Sequence, residues 1–505
     1  MGEKSETTPF RTVTPGGNQK RSTWKQVILA LVAYSASLAP SMSIGFSAVA
    51  IPALISDEVA PLTMSQASWF ASIASIATPL GCLISGPTSD RLGRKSVLLM
   101  VNLITFIGWI TIAVAMDLKD ARYATLIVGR LLTGFSTGFA SMPPVVYMSE
   151  VSTPRLRGVF TTANGVFFAI GILTVYVFGA IFPASCGTVA VLTAILPCIS
   201  MVLVTFILPE TPQWLVTNNR IDEASTNMQR IYGYTEYTPE IYNDIQDLIQ
   251  RREANKVTLK TSTENLSRKI QKFFEPFRRP TCYKPFLIVQ TFFFFQQFTG
   301  TFVIVFYAID IVEEAGVQIN SYIAIVLIAF VRFLGAVLVS FISRNYGRRP
   351  ISLISGVGMT FTMCLLAVYL HQQWQGVSWL PFACLMVYFF TSTLGFITMP
   401  FALAAECFPA EIKGTVTGVI TCFAYLFNFI VVKIYPSLIV GIGAFGTFMF
   451  YGLFSAAGTL FVYFLLPETK GKTLAEIEEY FGGKSKCSQI QNGDESVHEK
   501  MLQAS

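Results

Sequence analysis

Apolar runs of about 20 residues or more, each enough for one helical membrane crossing, recur along this chain and are separated by short polar turns. They lie near 26–53, 66–86, 96–116, 123–147, 158–182 and 187–208. After a polar interval, six more follow near 285–309, 321–343, 350–370, 378–405, 415–438 and 442–466. The pattern predicts an all-α membrane protein of twelve spans in two sets of six. One run departs from it: QTFFFFQQFTGTFVIVFY, residues 290–307, sets two adjacent amides, Gln296 and Gln297, inside hydrocarbon-length apolar sequence. Amides at that depth need polar partners, from a neighbouring helix or a polar ligand. Helical spacing puts Gln290, Gln297 and Thr301 on one stripe, with Gly300 allowing close backbone approach. The stripe is a candidate cavity lining, although amides at such depth also serve simply to join helices.

Charge then orients the spans. Lys20, Arg21 and Lys25 precede the first; Arg91, Arg94 and Lys95 follow the second; Arg155 and Arg157 follow the fourth; Arg344, Arg348 and Arg349 follow the eighth. The alternate loops are poor in basic residues, so both termini and the central loop are expected in the cytoplasm. The division expected is a tail over 1–25, a six-helix bundle over 26–208, a linker with short surface helices over 209–284, a second bundle over 285–466 and a tail over 467–505. The sequon at Asn265 falls in the linker and is expected to stay unglycosylated. No apolar signal-peptide core precedes the first span, which serves as the targeting signal, and no myristoylation or retrieval pattern appears, so the plasma membrane is the default address.

Composition narrows the class further. Of 505 residues, 52% are hydrophobic and 13% charged, about half the charged share of a soluble domain. The nine cysteines are scattered singly and read as small buried residues, neither disulfides nor metal ligands. The net charge of +6 reports topology, so no nucleic-acid partner is expected. There is no phosphate-binding glycine loop, no carboxylate pair within a span, and only two histidines, His371 and His498. These absences point away from an enzyme and from any metal or cofactor.

The halves repeat each other. Asp90 to Lys95 (DRLGRK) matches Arg344 to Arg349 (RNYGRR) at an offset of 254; Glu150 with Arg157 matches Glu406 with Lys413 at 256; Pro209-Glu210-Thr211 matches Pro467-Glu468-Thr469 at 258. Two duplicated bundles suit a central site opened alternately to either side. Each half thereby supplies carboxylates (Glu150, Glu210; Glu406, Glu468) and cations (Arg94, Arg157; Arg348, Lys413) at its cytoplasmic end. An ion-pair network among them is expected to hold the inner side shut and to break when it opens.

These motifs, with Gly129-Arg130 in span 4, PETPQWL over 209–215, Gln296-Gln297 and PETKG over 467–471, resemble the sugar porter family of the major facilitator superfamily over about residues 25–482. Within it, QQFTGTFVIVFYAIDIV is most similar to the facilitated trehalose transporter branch. The resemblance implies that Gln296, Gln297 and Asn428 in span 11 hydrogen-bond sugar hydroxyls, a task suited to amides, which both donate and accept. Phe302, Phe401 and Tyr425 stand beside them to cover apolar sugar faces. Four positions depart from the hexose-transporting pattern: Phe302 stands for Asn, Gly165 for a span-5 Gln, Phe401 for Trp, and Arg332 for a span-8 Asn. Arg332, in mid-span, would cost about 3 kcal/mol facing lipid, so it is expected to face the cavity or the bundle interior. Proton symporters of this family carry a span-1 carboxylate, whereas this chain has the Ser-rich stretch Ser41 to Ser47.

The reading is a facilitator that moves a sugar, trehalose or a hexose such as glucose, down its gradient by alternating access. The bilayer and the small sugar are its expected partners. An organic-anion carrier using Arg332 and a sugar sensor that binds without transport are the alternatives. The short tail after Phe481 weighs against the sensor.

Overall fold

The computed structural model describes residues 18–57, 60–183, 185–232, 245–246, 248–250, 280–372, 374, 376–408, 413–470, 472, 476 and 480–481. Nine helices among the described residues are long and apolar enough to cross a membrane. The longest, Lys413–Leu465, contains two crossings merged across a break at Gly443, where φ is 69°. Spans 4 and 7 are not among them: their leading helices, Arg122–Phe139 and Pro280–Phe298, are long enough but too polar, carrying Arg122 and Arg130 in the first and Lys284, Gln290, Gln296 and Gln297 in the second, and each span is also interrupted.

Those interruptions follow from local chemistry. Span 4 is a helix over Arg122–Phe139 that stops and restarts as Pro143–Val151. Span 10 runs over Leu380–Leu394 and restarts as Met399–Glu406. Both restarts carry proline at the first helical positions, where its missing N–H costs no helix bond. The break is therefore duplicated along with the bundle. Span 7 comprises Pro280–Phe298, Thr301–Phe306 and Ala308–Glu314. Its first break is set by Gly300, in the left-handed region at φ 84°. The sequence pattern reads spans 4, 7 and 10 as continuous runs; hydrophobicity alone does not register a backbone bend.

Within the first half, span 2 packs on span 4, span 1 on span 5, and span 3 on span 6; in the second, span 8 packs on span 10 and span 9 on the Lys413–Leu465 helix. Two main seams join the halves: span 2 lies along the first part of Lys413–Leu465, and span 5 (Pro154–Ile181) along span 8 (Ser321–Asn345); span 1 also meets the short helices Thr301–Phe306 and Ala308–Glu314 of span 7. Lipid-length faces carry exposed Leu80, Ile84, Ile107, Val128, Ile195 and Phe361. A single large core cluster runs through both halves, from Phe46 and Trp109 to Phe293, Phe396 and Tyr451.

Polar contacts across the seams are unevenly placed. Ser68 donates to the Lys433 carbonyl at 3.2 Å, and the Lys433 ammonium lies 4.3 Å from the centre of the Trp69 ring. Tyr176 donates to the Val305 carbonyl at 2.7 Å. These fall at mid-depth or beyond, away from the end that carries the duplicated charges. After span 6, Pro212–Thr217 and Ile221–Tyr232 form short helices; most of the remaining linker, including Asn265, lies outside the described residues, as do residues 482–505.

A Cβ placed on Gly300 would sit 2.7 Å from ring carbons of Tyr451. Gly300→Ala is expected to combine this clash with a left-handed backbone penalty of roughly 1 kcal/mol or more. Purified protein should lose several degrees of Tm; an unchanged Tm would show that span 7 straightens freely.

Candidate functional site

The break in span 7 leaves backbone groups without helical partners at membrane depth, and nearby side chains supply them. The Tyr388 hydroxyl donates to the Thr299 carbonyl at 2.7 Å and lies 3.1 Å from the Thr301 hydroxyl, itself 3.1 Å from the Thr299 hydroxyl. Thr301 thus patches the bend behind the cavity and does not line it. The expected stripe of Gln290, Gln297 and Thr301 does not form, because the left-handed turn at Gly300 resets the helical phase between residues 297 and 301. Gln290 stands apart as well: both of its side-chain polar atoms are buried without a hydrogen bond, and it is not among the cavity-lining residues.

One turn earlier, the adjacent amides join a relay across the molecule. Gln296 Nε2 donates to the carbonyls of Phe396 at 2.8 Å and Ile397 at 3.0 Å, groups exposed by the break in span 10. Its Oε1 accepts from Gln297 Nε2 at 3.1 Å. Gln297 Oε1 accepts from Asn428 Nδ2 at 2.9 Å, and Asn428 Oδ1 accepts from the Ser75 hydroxyl at 2.7 Å. Ser75 belongs to span 2, in the other half. The relay therefore crosses the seam, and every amide oxygen in it is occupied.

Gln297 and Asn428 face a central cavity with about 480 Å³ of space. Phe302, Phe401 and Tyr425 line it too. Gln296, completely buried, does not; its two donors are held by span 10, so it positions Gln297. The first half contributes Ser43, Ala74, Ser75, Thr78, Gly134 and Thr137. None of these was singled out from the sequence. Small residues in apolar spans carry little signal individually; the Ser-rich stretch Ser41 to Ser47, noted for its lack of a carboxylate, contains just one of them, Ser43. Gly165 is not among the lining residues.

Arg332 is also absent from this cavity. It lines a second space of about 270 Å³ between spans 5, 7, 8 and 10. The expectation that it faces the interior holds, but it is not beside the amides.

Arg130, fully buried in span 4, is saturated. Nε donates to the Phe70 carbonyl at 3.1 Å, Nη1 to the Ser43 carbonyl at 2.7 Å and hydroxyl at 3.1 Å, and Nη2 to the Ser47 hydroxyl at 2.6 Å. The guanidinium also lies 5.0 Å from the centre of the Phe70 ring. Neutral oxygens of spans 1 and 2 thus disperse the charge without a carboxylate.

At the charged end, each half carries the same clasp. Arg94 Nε and Nη2 reach Glu150 at 3.0 and 2.8 Å, while Nη1 donates to the Ser89 carbonyl at 2.9 Å. Thr211 donates to the same Glu150 at 2.6 Å. Glu210 accepts from the backbone N–H groups of Arg94 at 3.0 Å and Lys95 at 3.2 Å, capping the start of span 3. Gly93 leaves room for this: a Cβ there would lie 2.4 Å from Glu210 Oε2. In the second half, Arg348 Nη2 meets Glu406 at 2.7 Å and Nη1 bonds the Ser343 carbonyl. Thr469 donates to Glu406 at 2.7 Å, and Glu468 accepts from the N–H groups of Arg348 at 2.9 Å and Arg349 at 3.1 Å.

Every ion pair of these clasps joins residues of one half, and among the described residues none bridges the two. The arrangement differs from the inter-bundle lock expected from sequence. Glu210 and Glu468 are backbone caps, not partners of a guanidinium. The side chains of Arg157 and Lys413 lie outside the described residues.

Comparison with known proteins now decides the family. Residues 27–481 match the family model described as sugar (and other) transporter. The chain belongs to that family. The transporter is 30% identical over 474 residues to the facilitated trehalose transporter Tret1 of Apis mellifera ligustica, covering 92% of this chain and 90% of that one. It is 32% identical over 511 residues to Tret1 of Aedes aegypti, covering 96% of this chain but 60% of that protein's length. Among solved structures, the inward open conformation of the xylose transporter XylE from E. coli superposes with a TM-score of 0.74 at 20% identity, covering 90% of this chain and 99% of that chain. That likeness establishes the twelve-helix major facilitator fold. The transporter is a multi-pass membrane protein, not an enzyme.

The two clasps differ electrostatically. Burial raises the Glu210 carboxyl above its ordinary value, outweighing the N–H groups of Thr211, Arg94 and Lys95. Burial acts in the same sense on Glu468, but there the N–H groups of Lys470, Arg348, Arg349 and Thr469 prevail and hold it below its ordinary value. Ionised Glu468 therefore stabilises the fold at neutral pH, and this contribution disappears as pH falls through the carboxylate range. Glu210 has the opposite sign, since the folded state binds its proton more tightly than the unfolded chain. Glu468→Gln is expected to lower Tm at pH 7 by more than Glu210→Gln, with the Glu468→Gln deficit shrinking towards pH 4. Equal deficits at pH 7, or one that grows in acid, would contradict this assignment.

Proposed function

We propose that the transporter is a uniporter for a sugar, trehalose or a hexose such as glucose, working by alternating access between bundles at 26–208 and 285–466. The observation that carries this reading is the relay from Ser75 through Asn428 and Gln297 to Gln296. It sets two amides with spare N–H donors, Gln297 and Asn428, against a central cavity shared by both halves. Hydroxyls of a sugar both donate and accept, so they can take up the spare donors and exchange into the relay as its members part. Phe302, Phe401 and Tyr425 offer faces for the C–H surfaces of the ring. The Tret1 relatives favour trehalose, and the absence of a polar side chain at positions 165 and 302 weighs against a hexose-type contact set.

Uncoupled transport is supported by Arg130. A span-1 carboxylate beside it would be a proton carrier, whereas the hydroxyls of Ser43 and Ser47 do not titrate near neutral pH. The basic loops support a topology with both termini, the linker over 209–284 and the tail over 467–505 in the cytoplasm. The plasma membrane is the proposed site of action. On that topology the cross-half contacts of Ser68, Lys433 and Tyr176 lie towards the outside, and the clasps sit at the inner mouth. The clasps then act by keeping each bundle rigid as it rocks.

Labelled trehalose and glucose, offered separately to proteoliposomes at pH 6 and pH 8, test the reading. Saturable uptake of at least one sugar is expected, unchanged between the two pH values and never exceeding equilibrium when a proton gradient is imposed. Gln297→Ala and Asn428→Ala should each reduce uptake at least tenfold while the protein inserts normally. Accumulation driven by the gradient would overturn uniport, and full activity of both variants would overturn the site.

A further inference from the structure

Two arginines are buried in the membrane domain, and their surroundings are opposite. Arg130 engages carbonyls and hydroxyls with all three of its guanidinium nitrogens. Arg332 is 7% exposed, makes no hydrogen bond or ion pair among the described residues, and holds Nη1 fully buried without a partner. It points into its own cavity, separate from the central one, with no lining residue in common. The walls are apolar: Ile172 from span 5, Ile304 and Ala308 from span 7, Ala329 from span 8 and Phe389 from span 10. The one polar neighbour, Tyr176, already donates its hydroxyl to the Val305 carbonyl. Among the described residues no carboxylate lines this space.

A guanidinium buried to this degree, with its Nη1 donors unmatched by any acceptor, carries a desolvation cost that the surrounding walls do not offset. The missing component is an anion. The apolar walls and the narrow room between them favour one that is small, singly charged and easily dehydrated, and they exclude a bulky polyol acid. We propose that the Arg332 cavity is a binding site for a small monovalent anion, chloride or a short carboxylate such as acetate, distinct from the sugar site. Because Ile172 and Tyr176 come from the first half and the remaining walls from the second, the anion sits in the seam between spans 5 and 8. Its charge completes that seam in the arrangement described here, so occupancy favours this arrangement of the halves over one in which they have rocked apart.

The test is thermal unfolding of the purified full-length protein at constant ionic strength, replacing sodium gluconate stepwise by sodium chloride or sodium acetate. A saturable rise in Tm with chloride, acetate or both is expected, and which salt acts identifies the physiological class. Arg332→Met should be more stable than wild type in gluconate, as a buried unpaired charge has been removed, and should show no rise. Should that variant fail to fold, Ala329→Leu fills the cavity while keeping the guanidinium, and should abolish the rise equally. Gln297→Ala should retain the rise, separating this site from the amides. No saturable rise in wild type, a rise that persists in Arg332→Met or in folded Ala329→Leu, or its loss in Gln297→Ala would each overturn the proposal.

Discussion

A backbone group freed from its helix inside the hydrocarbon has no water to turn to, and the centre of this transporter is arranged around that constraint. Span 7 bends at Gly300 and span 10 at residues 395–398, so carbonyls at Thr299, Phe396 and Ile397 need donors from side chains. Tyr388 answers the first and Gln296 the other two. Gln296, so fixed, holds Gln297, which accepts from Asn428 and faces the cavity. The polar site is thus continuous with the repair of two broken helices. Bends placed at mid-membrane give a carrier both its hinge points and its supply of oriented hydrogen-bonding groups.

The same economy appears at the charged end. A carboxylate that caps a helix start and a second that grips an arginine recur in each half, and the threonine after the capping glutamate donates to the gripping one in both. Each clasp ties the start of its half's third helix to its fourth and to the segment after its sixth. Stiffness is thereby concentrated within bundles, while contacts between bundles remain mostly apolar and few in hydrogen bonds. Relative motion then breaks little that is strong.

Much of this was legible in the sequence, and the failures share a cause. Span number, duplication, family and the amides of the site all rest on composition and repeats, which survive folding unchanged. The stripe through Gln290 and Thr301 assumed an unbroken helix; one left-handed glycine removed that premise. The inter-bundle lock assumed that opposite charges at matched positions pair across the halves, yet Arg94 finds Glu150, and Arg348 finds Glu406, within their own bundle. Arg332 was placed by its depth and by its alignment with a span-8 Asn of the hexose-transporting pattern, and neither says which of two cavities a longer side chain enters. The first half's share of the cavity, Ser43, Ser75, Thr78 and Thr137, escaped notice because small hydroxyl residues are ordinary in membrane helices.

The closed relay carries one more consequence. Since the amide oxygens of Gln296, Gln297 and Asn428 all accept hydrogen bonds within the relay, sealing the centre costs the protein little desolvation. A pump gains from the reverse condition, in which an unloaded carrier is trapped and slippage is prevented. A centre that seals itself suits the opposite case, the proposed uniport, in which the return needs no cargo. Net flow would then follow whichever side is richer.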